Sequence, residues 1–153
     1  MIPRPLVIGY GNRLRGDDAV GWVVADSLAN DPRMDGVDVV AVHQLTPDLV
    51  HEVSRASRVV FVDAVLDPTV QPGIVAVATL EPEPDAEPMT HHVGAGTILS
   101  LAEALYGASP VAFTVTVAIE STEPGAALGD AVRESVATLV DTVVGLCREV
   151  SCA

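Results

Sequence analysis

The residues of this sequence best suited to chemistry are aspartates and histidines that stand beside apolar segments. Adjacent aspartates, Asp17 and Asp18, follow the segment LVIGYGNRLRG, Asp63 ends the apolar segment RVVFVD, and His91 and His92 form a doublet further along. Two aspartates and one histidine make a mixed oxygen and nitrogen donor set that suits borderline divalent metals such as nickel, zinc or cobalt. Because side chains at successive helical positions diverge, we expect only one ligand from the doublet.

Most of these candidates also have an interpretation without chemistry. Asp18 could cap the helix that follows it, where a carboxylate satisfies orphan N–H groups and suits the helix dipole. For His43 we favour a partly buried histidine bonded to a backbone carbonyl, and for Glu120 a solvated side chain; the histidine doublet could be an ordinary loop. Asp63 is harder to explain in this way, because a desolvated carboxylate costs several kcal/mol unless it has a partner.

Alternating apolar runs and amphipathic segments predict the elements that position these residues. Strands are predicted at 5–9, 37–43, 58–64, 74–80 and Val111–Ile119, and helices at 19–29, 47–54, 97–106 and around the apolar stripe from Val132 to Val144. The connection before strand 74–80 is too short for a helical crossover, so this strand is predicted to be antiparallel at an edge. The pattern predicts one three-layer α/β domain over residues 1–153, with a twisted, mostly parallel five-stranded sheet and helices on both faces.

Individual residues predict how some of these helices and loops begin and end. Thr46 is predicted to cap the helix at 47–54, with Pro47 at its first position. The helix at 97–106 is predicted to end at Gly107 and to bury Ile98, Leu101, Ala102 and Leu105. Residues 81–88, EPEPDAEP, contain three prolines and four carboxylates and are predicted to form an exposed, extended loop.

The predicted frame gathers the candidate residues at one edge. Ligands of an open parallel sheet bind beyond the carboxyl ends of its strands. Asp18, His43, Asp63 and Glu120 follow or close predicted strands, and the histidine doublet precedes the third helix on the same side. Up to four carboxylates and three imidazoles are therefore expected along this edge.

Composition excludes several classes of protein. The chain has 153 residues and a formal net charge of −13, which disfavours binding to nucleic acid. No run approaches the roughly 20 apolar residues of a membrane span. The two cysteines, Cys147 and Cys152, match no metal or redox spacing, so we expect reduced thiols and a cytoplasmic protein.

The glycine segment does not match a phosphate-binding loop. After Gly9 and Gly11 the third position of the GxGxxG pattern is Leu14, and no Gly-Lys-Ser/Thr sequence follows. His43, rather than an acidic residue that could hold a ribose, ends the second predicted strand. A nucleotide-binding enzyme or small-molecule hydrolase is therefore only a third alternative, supported by no basic residues beyond Arg13 and Arg15.

Four segments carry a resemblance to a known family. GYGNRLRGDDAVG, VHQLTPDL, VVFVDAV and THHVGAGTILSLAEALYG, in this order, resemble the hydrogenase maturation proteases, the endopeptidases that trim the C-terminus of nickel-iron hydrogenase large subunits. The resemblance covers almost the whole chain, and GxGNxLxxDDxxG is its specific part. It implies an α/β domain with a twisted, mainly parallel five-stranded sheet, in agreement with the strands predicted above.

The resemblance also implies a metal site and a ligand set. Asp18, Asp63 and His91 occupy the positions of the family's catalytic and metal-binding residues, and His91 is followed by Gly94 in a His-x-x-Gly setting. One branch of the family has glutamate at the position of Asp18, so this chain offers a shorter arm. We favour His91 over its neighbour as the third ligand.

The implied activity is that of a nickel-dependent endopeptidase acting on a hydrogenase large-subunit precursor. Nickel would be supplied by the precursor, so that only a loaded substrate is cleaved. Water would be activated by an aspartate as general base or by the metal, and the N–H groups of the loop at Asn12 would bind the substrate backbone. We expect a monomer with no membrane partner; the alternative is a non-enzymatic nickel chaperone or sensor that uses the same three ligands.

Overall fold

The computed structural model describes residues 2–83 and 93–148, which form five strands and four α-helices. In chain order these are β1 (Leu6–Tyr10), α1 (Val20–Ala29), β2 (Asp38–Val42), α2 (Val50–Arg55), β3 (Arg58–Leu66), β4 (Val75–Thr79), α3 (Ala95–Tyr106), β5 (Val111–Ile119) and α4 (Asp130–Arg148). Short 3-10 turns at Gly16–Ala19, Pro32–Met34 and Pro47–Leu49 complete the elements. The predicted α/β fold is confirmed.

The five strands form one sheet in the order β2-β1-β3-β5-β4. β1 pairs in parallel with β2 and β3, and β3 pairs in parallel with β5. β4 pairs with β5 in the antiparallel sense at the edge, as its short connection predicted. The sheet is therefore parallel except for one edge strand.

Two hydrophobic cores cover the two faces of the sheet. On one face, strand residues such as Val7, Val60 and Val115 pack with buried side chains of α1 and α4. On the other face, Ile8 and Phe61 pack with α2 and α3. Neighbouring strand residues point to opposite faces of the sheet. The core on which one strand residue packs therefore shows to which face the residues before and after it point.

Helix α1 approaches strand β1 unusually closely. A Cβ atom added to Gly9 would lie 2.3 Å from the Gly21 carbonyl oxygen, and one added to Gly21 would lie 2.7 Å from the Tyr10 carbonyl oxygen. Real Cβ atoms do not come this near to backbone oxygen, so both positions require glycine. The contact holds the start of α1 against the end of β1, where the candidate residues lie.

Several local predictions were wrong in part or in full. Thr46 takes the N-cap position and Pro47 follows in the first turn, as predicted, but the Thr46 side chain makes no cap bond and the turn is a 3-10 turn in which the Thr46 carbonyl accepts from the Leu49 N–H. Leu105 is 66% exposed, since the buried stripe of α3 ends at Ala102. Strand β3 continues past Asp63 to Leu66, because β5 pairs with it along the whole length.

Other predictions were confirmed or lie outside the described residues. Gly107 ends α3 in a left-handed conformation at φ 65°. Cys147 is a free, buried thiol, whereas Cys152 lies outside the described residues. Most of the acidic segment 81–88 also lies outside them. No helix of residues 2–83 or 93–148 is long and apolar enough to cross a membrane.

Candidate active site

The strand order creates a crevice at the carboxyl ends of β1 and β3. From β1 the chain moves outward to β2 and then returns to the other side of β1 to form β3. Such a reversal opens a gap beyond the strand ends, where open α/β sheets bind their ligands. Tyr10 ends β1, and Asp63 lies in the second half of β3 beside it.

Asp63 is a largely buried carboxyl group with few compensating contacts. Its Oδ1 accepts from the Ala64 N–H at 2.7 Å. Burial raises the pKa of Asp63 to about 6; hydrogen bonds from Tyr10 and the Ala64 N–H oppose the rise, and the negative charge of Asp18 adds to it. The fold therefore holds Asp63 where its negative charge is poorly neutralised.

Tyr10 is the polar neighbour of Asp63 inside the crevice. Burial, followed by the negative charge of Asp63 and the hydrogen bond to it, raises the pKa of Tyr10 well above its ordinary value. The phenol is therefore protonated and donates to the carboxylate. Tyr10 packs against the same core as α2 and α3, so Asp63 faces that side of the sheet.

Asp18 closes the crevice from the loop after β1. Its Oδ2 accepts from the Asn12 N–H at 2.6 Å. Gly11 permits this turn, because its φ is +149° and a Cβ there would lie 2.2 Å from the Asp18 carbonyl oxygen. Asp18 makes no helix-capping bond, so its interpretation as a cap was wrong. We call Tyr10, Asp18 and Asp63 the carboxylate crevice.

The neighbouring Asp17 has a different role that the sequence did not reveal. Its side chain is buried, with the residue only 1% exposed, and it accepts from the Gly129 N–H at 2.7 Å and from the Glu120 N–H at 3.3 Å. These bonds attach the loop before α1 to the loop between β5 and α4. We call this arrangement the Asp17 anchor; a buried carboxylate whose two oxygens each accept a backbone N–H is typical of a structural group.

The remaining sequence candidates stay at the margin of the site. His43 is exposed and has no hydrogen bond among the described residues, so its interpretation as a bonded, partly buried histidine was wrong. Glu120 is exposed, as expected for a solvated side chain. The N–H groups of Asn12, Leu14 and Arg15 are already bonded within the loop, which removes most of the donors predicted to bind a substrate backbone.

Two of the three predicted metal ligands can be placed. Asp18 and Asp63 share the crevice, whereas His91 and His92 lie outside the described residues. Within residues 2–83 and 93–148 no group of three or more histidine, cysteine, aspartate or glutamate residues could hold a metal ion. The two carboxylates fit a divalent cation chemically, since the negative charge of Asp18 disfavours that of Asp63 and a cation would neutralise both.

Tyr10 is the functional residue that sequence reasoning missed. Nothing in the one-dimensional pattern separates an aromatic residue at a strand end from an ordinary core residue. The signal appears only in the fold, because Gly9 lies opposite Val62 and the residues that follow them, Tyr10 and Asp63, are joined by a side-chain hydrogen bond.

Comparison with known proteins identifies the fold. No protein-family model matches the sequence, and no curated protein is a significant match to it. Among solved structures, the hydrogenase maturating endopeptidase HybD of Escherichia coli superposes with a TM-score of 0.78 at 23% identity, over 97% of this chain and 94% of that one. The hydrogenase 2 maturation peptidase of a Thaumarchaeota archaeon superposes with a TM-score of 0.71 at 27% identity, over 94% and 97%.

A third structure is the NiFe hydrogenase maturation protease HycI of Thermococcus kodakarensis, with a TM-score of 0.73 at 21% identity over 95% of this chain and 93% of that one. This chain has the fold of the hydrogenase maturation proteases. The resemblance of its sequence segments to hydrogenase maturation proteases is thereby confirmed. The hydrogenase maturation protease fold extends over nearly the full length of each of these chains.

Proposed function

We propose that this chain is an endopeptidase that removes the C-terminal extension of a hydrogenase large-subunit precursor. The observation that carries the proposal is the carboxylate crevice: two aspartates interact electrostatically at the topological switch point, and the burial of Asp63 leaves its charge poorly neutralised. In a structural ion pair, by contrast, each charge is neutralised by the charge of its partner. The sequence resemblance and the shared fold supply the class of substrate.

We propose that nickel reaches the crevice as part of the substrate. Asp18 and Asp63 would meet a nickel ion already seated in the precursor, and His91 would supply the third ligand. Val93, two residues after His91 in the sequence, is buried in the core against which Tyr10 packs. Cleavage would then depend on a loaded substrate.

Hydrolysis at this site needs a group that accepts a proton from water. A carboxylate whose pKa is about 6 is a stronger base than an ordinary aspartate and is still ionised at neutral pH. Water adds to the scissile carbonyl carbon, its proton passes to the carboxylate, and the carbon–nitrogen bond breaks as that proton reaches the leaving amine. Tyr10 orients the carboxylate throughout.

The decisive experiment measures precursor mass in host cells that lack this gene. We expect the large subunit to keep its C-terminal extension in the deletion strain and to lose it after complementation with the wild type. Asp63→Asn is expected not to restore trimming, because it removes both a ligand and the base. Asp26→Asn, an exposed aspartate of α1 outside the crevice, is the matched control and should restore it.

Each other outcome has a definite meaning. Large subunits fully trimmed in the deletion strain would contradict the proposed protease. If the untrimmed subunits of the deletion strain instead lacked nickel, the chain would act in nickel delivery, as a chaperone rather than a peptidase. Restored trimming by Asp63→Asn would remove the crevice from the mechanism.

A further inference from the structure

A cavity of about 660 Å³ lies beside the carboxylate crevice. Its walls are the loop residues 12–15, Trp22, His43 and Pro124. We call it the arginine cavity. It adjoins the crevice through Asn12, which lines the cavity and donates its backbone N–H to Asp18.

Two arginines at this cavity lack acidic partners. Arg13 stacks over the Trp22 ring at 5.0 Å, and the Nε of Arg15 donates to the Thr122 carbonyl at 3.1 Å. Neither is paired with a carboxylate in the part of the chain that the structure describes. By contrast, Arg4, Arg33 and Arg133 all form ion pairs.

The charge of the whole chain makes this pair unusual. All eight basic side chains are arginines, against 21 acidic ones. Two arginines without acidic partners, two positions apart, therefore form a local positive site on an otherwise acidic protein. An anionic group is attracted to this site more than to the acidic surfaces of the chain, which favours one orientation of a bound partner.

The cavity also offers exposed apolar surface. Leu14 is 75% exposed between the two arginines, and Trp22 and Pro124 supply the facing walls. A leucine this exposed gains free energy when a partner covers it. The surface thus combines an apolar contact with a positive rim.

The loop that carries these residues is already ordered. The Trp22 Nε1 donates to the Gly11 carbonyl at 2.9 Å, the Leu14 N–H donates to Asn12 Oδ1 at 2.9 Å, and the Gly125 N–H donates to the Leu14 carbonyl at 2.8 Å. A surface fixed before binding loses little entropy when a partner arrives. These bonds hold the cavity at a fixed position relative to Asp18.

We propose that the arginine cavity docks an acidic segment of the precursor's C-terminal extension, with an apolar side chain against Leu14 and Trp22 and an acidic side chain against Arg13 and Arg15. This inference rests on the proposed function. Guanidinium groups bind carboxylates through paired N–H donors, which gives both affinity and register. The contact fixes which peptide bond reaches the crevice.

The test compares charge reversals at and away from the cavity. With the purified, nickel-loaded precursor as substrate, Arg13→Glu is expected to raise KM about tenfold or more and to leave kcat within about twofold. Arg55→Glu, an exposed arginine at the end of α2, reverses the same charge outside the cavity and should leave KM unchanged. Replacing the acidic side chains of the extension by lysine should restore a low KM to the Arg13→Glu variant.

The apolar part of the contact has its own pair of variants. Leu14→Ala is expected to raise KM about threefold to tenfold through lost apolar contact. Leu105→Ala removes a leucine of similar exposure from α3 and should change nothing. A neutral three-residue tail added to the precursor should leave KM unchanged; an increase would mean that the terminal carboxylate occupies the cavity and would overturn the assignment to a side chain.

Failure of this inference can be told apart from failure of the proposed function. If the wild type trims the precursor but Arg13→Glu and Arg55→Glu have equal KM, only the docking site is refuted. If the wild type does not trim the precursor and the Asp63→Asn variant does not bind it, both the docking site and the proposed function are refuted. Thermal unfolding of each variant confirms that a change in KM does not come from a change in folding.

Discussion

The Asp17 anchor and the carboxylate crevice begin at adjacent residues and use the same functional group in opposite ways. In the anchor, a buried carboxylate receives N–H donors from two distant backbone positions. In the crevice, Asp18 receives one N–H and faces Asp63, whose charge the fold disfavours. Neighbouring carboxylates in one turn thus divide into one that holds two loops together and one that we propose to be reactive.

The difference shows what marks a functional carboxylate. Burial alone does not, because Asp17 is the more buried of the two aspartates of the doublet. What distinguishes the crevice is unused capacity to accept a proton, a hydrogen bond or a cation. In the Asp17 anchor, both carboxylate oxygens already accept N–H groups of the protein.

The strongest way to test this division is to replace each aspartate of the doublet by alanine. Asp18→Ala is expected to reduce precursor cleavage by about 100-fold or more while changing the free energy of unfolding by less than about 1 kcal/mol. Asp17→Ala is expected to lower the free energy of unfolding by about 3 kcal/mol, because the Gly129 and Glu120 N–H groups lose their acceptor. Cleavage kinetics and urea unfolding of both variants measure the two effects.

Equal loss of stability in the two variants would contradict the division. So would normal cleavage by Asp18→Ala. Measuring Asp17→Ala at a temperature well below its unfolding midpoint keeps its kinetics free of unfolded protein.

A second test uses the pH dependence of stability. The pKa of Asp63 is about 6 in the fold, above the value of 3.8 for an unperturbed aspartate, so the folded state binds this proton more tightly than the unfolded state does. The resulting stability is present below about pH 4 and is lost as the pH rises through 6. At one pKa unit per about 1.4 kcal/mol, Asp63→Asn should be more stable than the wild type by about 1–3 kcal/mol at pH 7.5.

The same two proteins should have nearly equal stability at pH 4, where Asp63 is protonated and resembles asparagine. Urea unfolding across this range gives the comparison directly. A wild type that is more stable than Asp63→Asn at pH 7.5 would mean that the crevice charge is neutralised within the protein, as in the Asp17 anchor.

The smallest expected effect comes from Tyr10→Phe. Loss of the phenol hydroxyl removes a hydrogen bond that holds the pKa of Asp63 down, so that pKa should rise. The acidic limb of the pH profile of kcat/KM should move upward by less than about one pH unit, with cleavage reduced several-fold near pH 6. An unchanged profile would show that Tyr10 only fills space.

Most of the fold could be predicted from the sequence. Apolar runs bounded by glycine, proline and short polar segments placed the strands within a few residues, and the short link before β4 predicted its antiparallel pairing. The extension of β3 beyond Asp63 could not be predicted in this way. It depends on pairing with β5, which lies about fifty residues later in the chain.

The site could be predicted only in part. Asp63 was visible because a carboxylate in an apolar strand requires an explanation, and Asp18 because it follows the first strand. Adjacency gave no means of assigning different roles to Asp17 and Asp18, since the role of Asp17 depends on partners 103 and 112 residues away. The backbone N–H groups of the Asn12 loop were predicted from the sequence to bind a substrate. In the fold they donate to acceptors within the loop itself.

The hydrogen bond between Asp17 and Gly129 also affects how the chain folds during its synthesis. Asp17 leaves the ribosome early, but its hydrogen-bond partner Gly129 is made 112 residues later. β4 likewise cannot pair until β5 has been made. Contacts so distant in sequence form late. The loop before α1 therefore gains its anchor to the loop between β5 and α4 only after all five strands have been made.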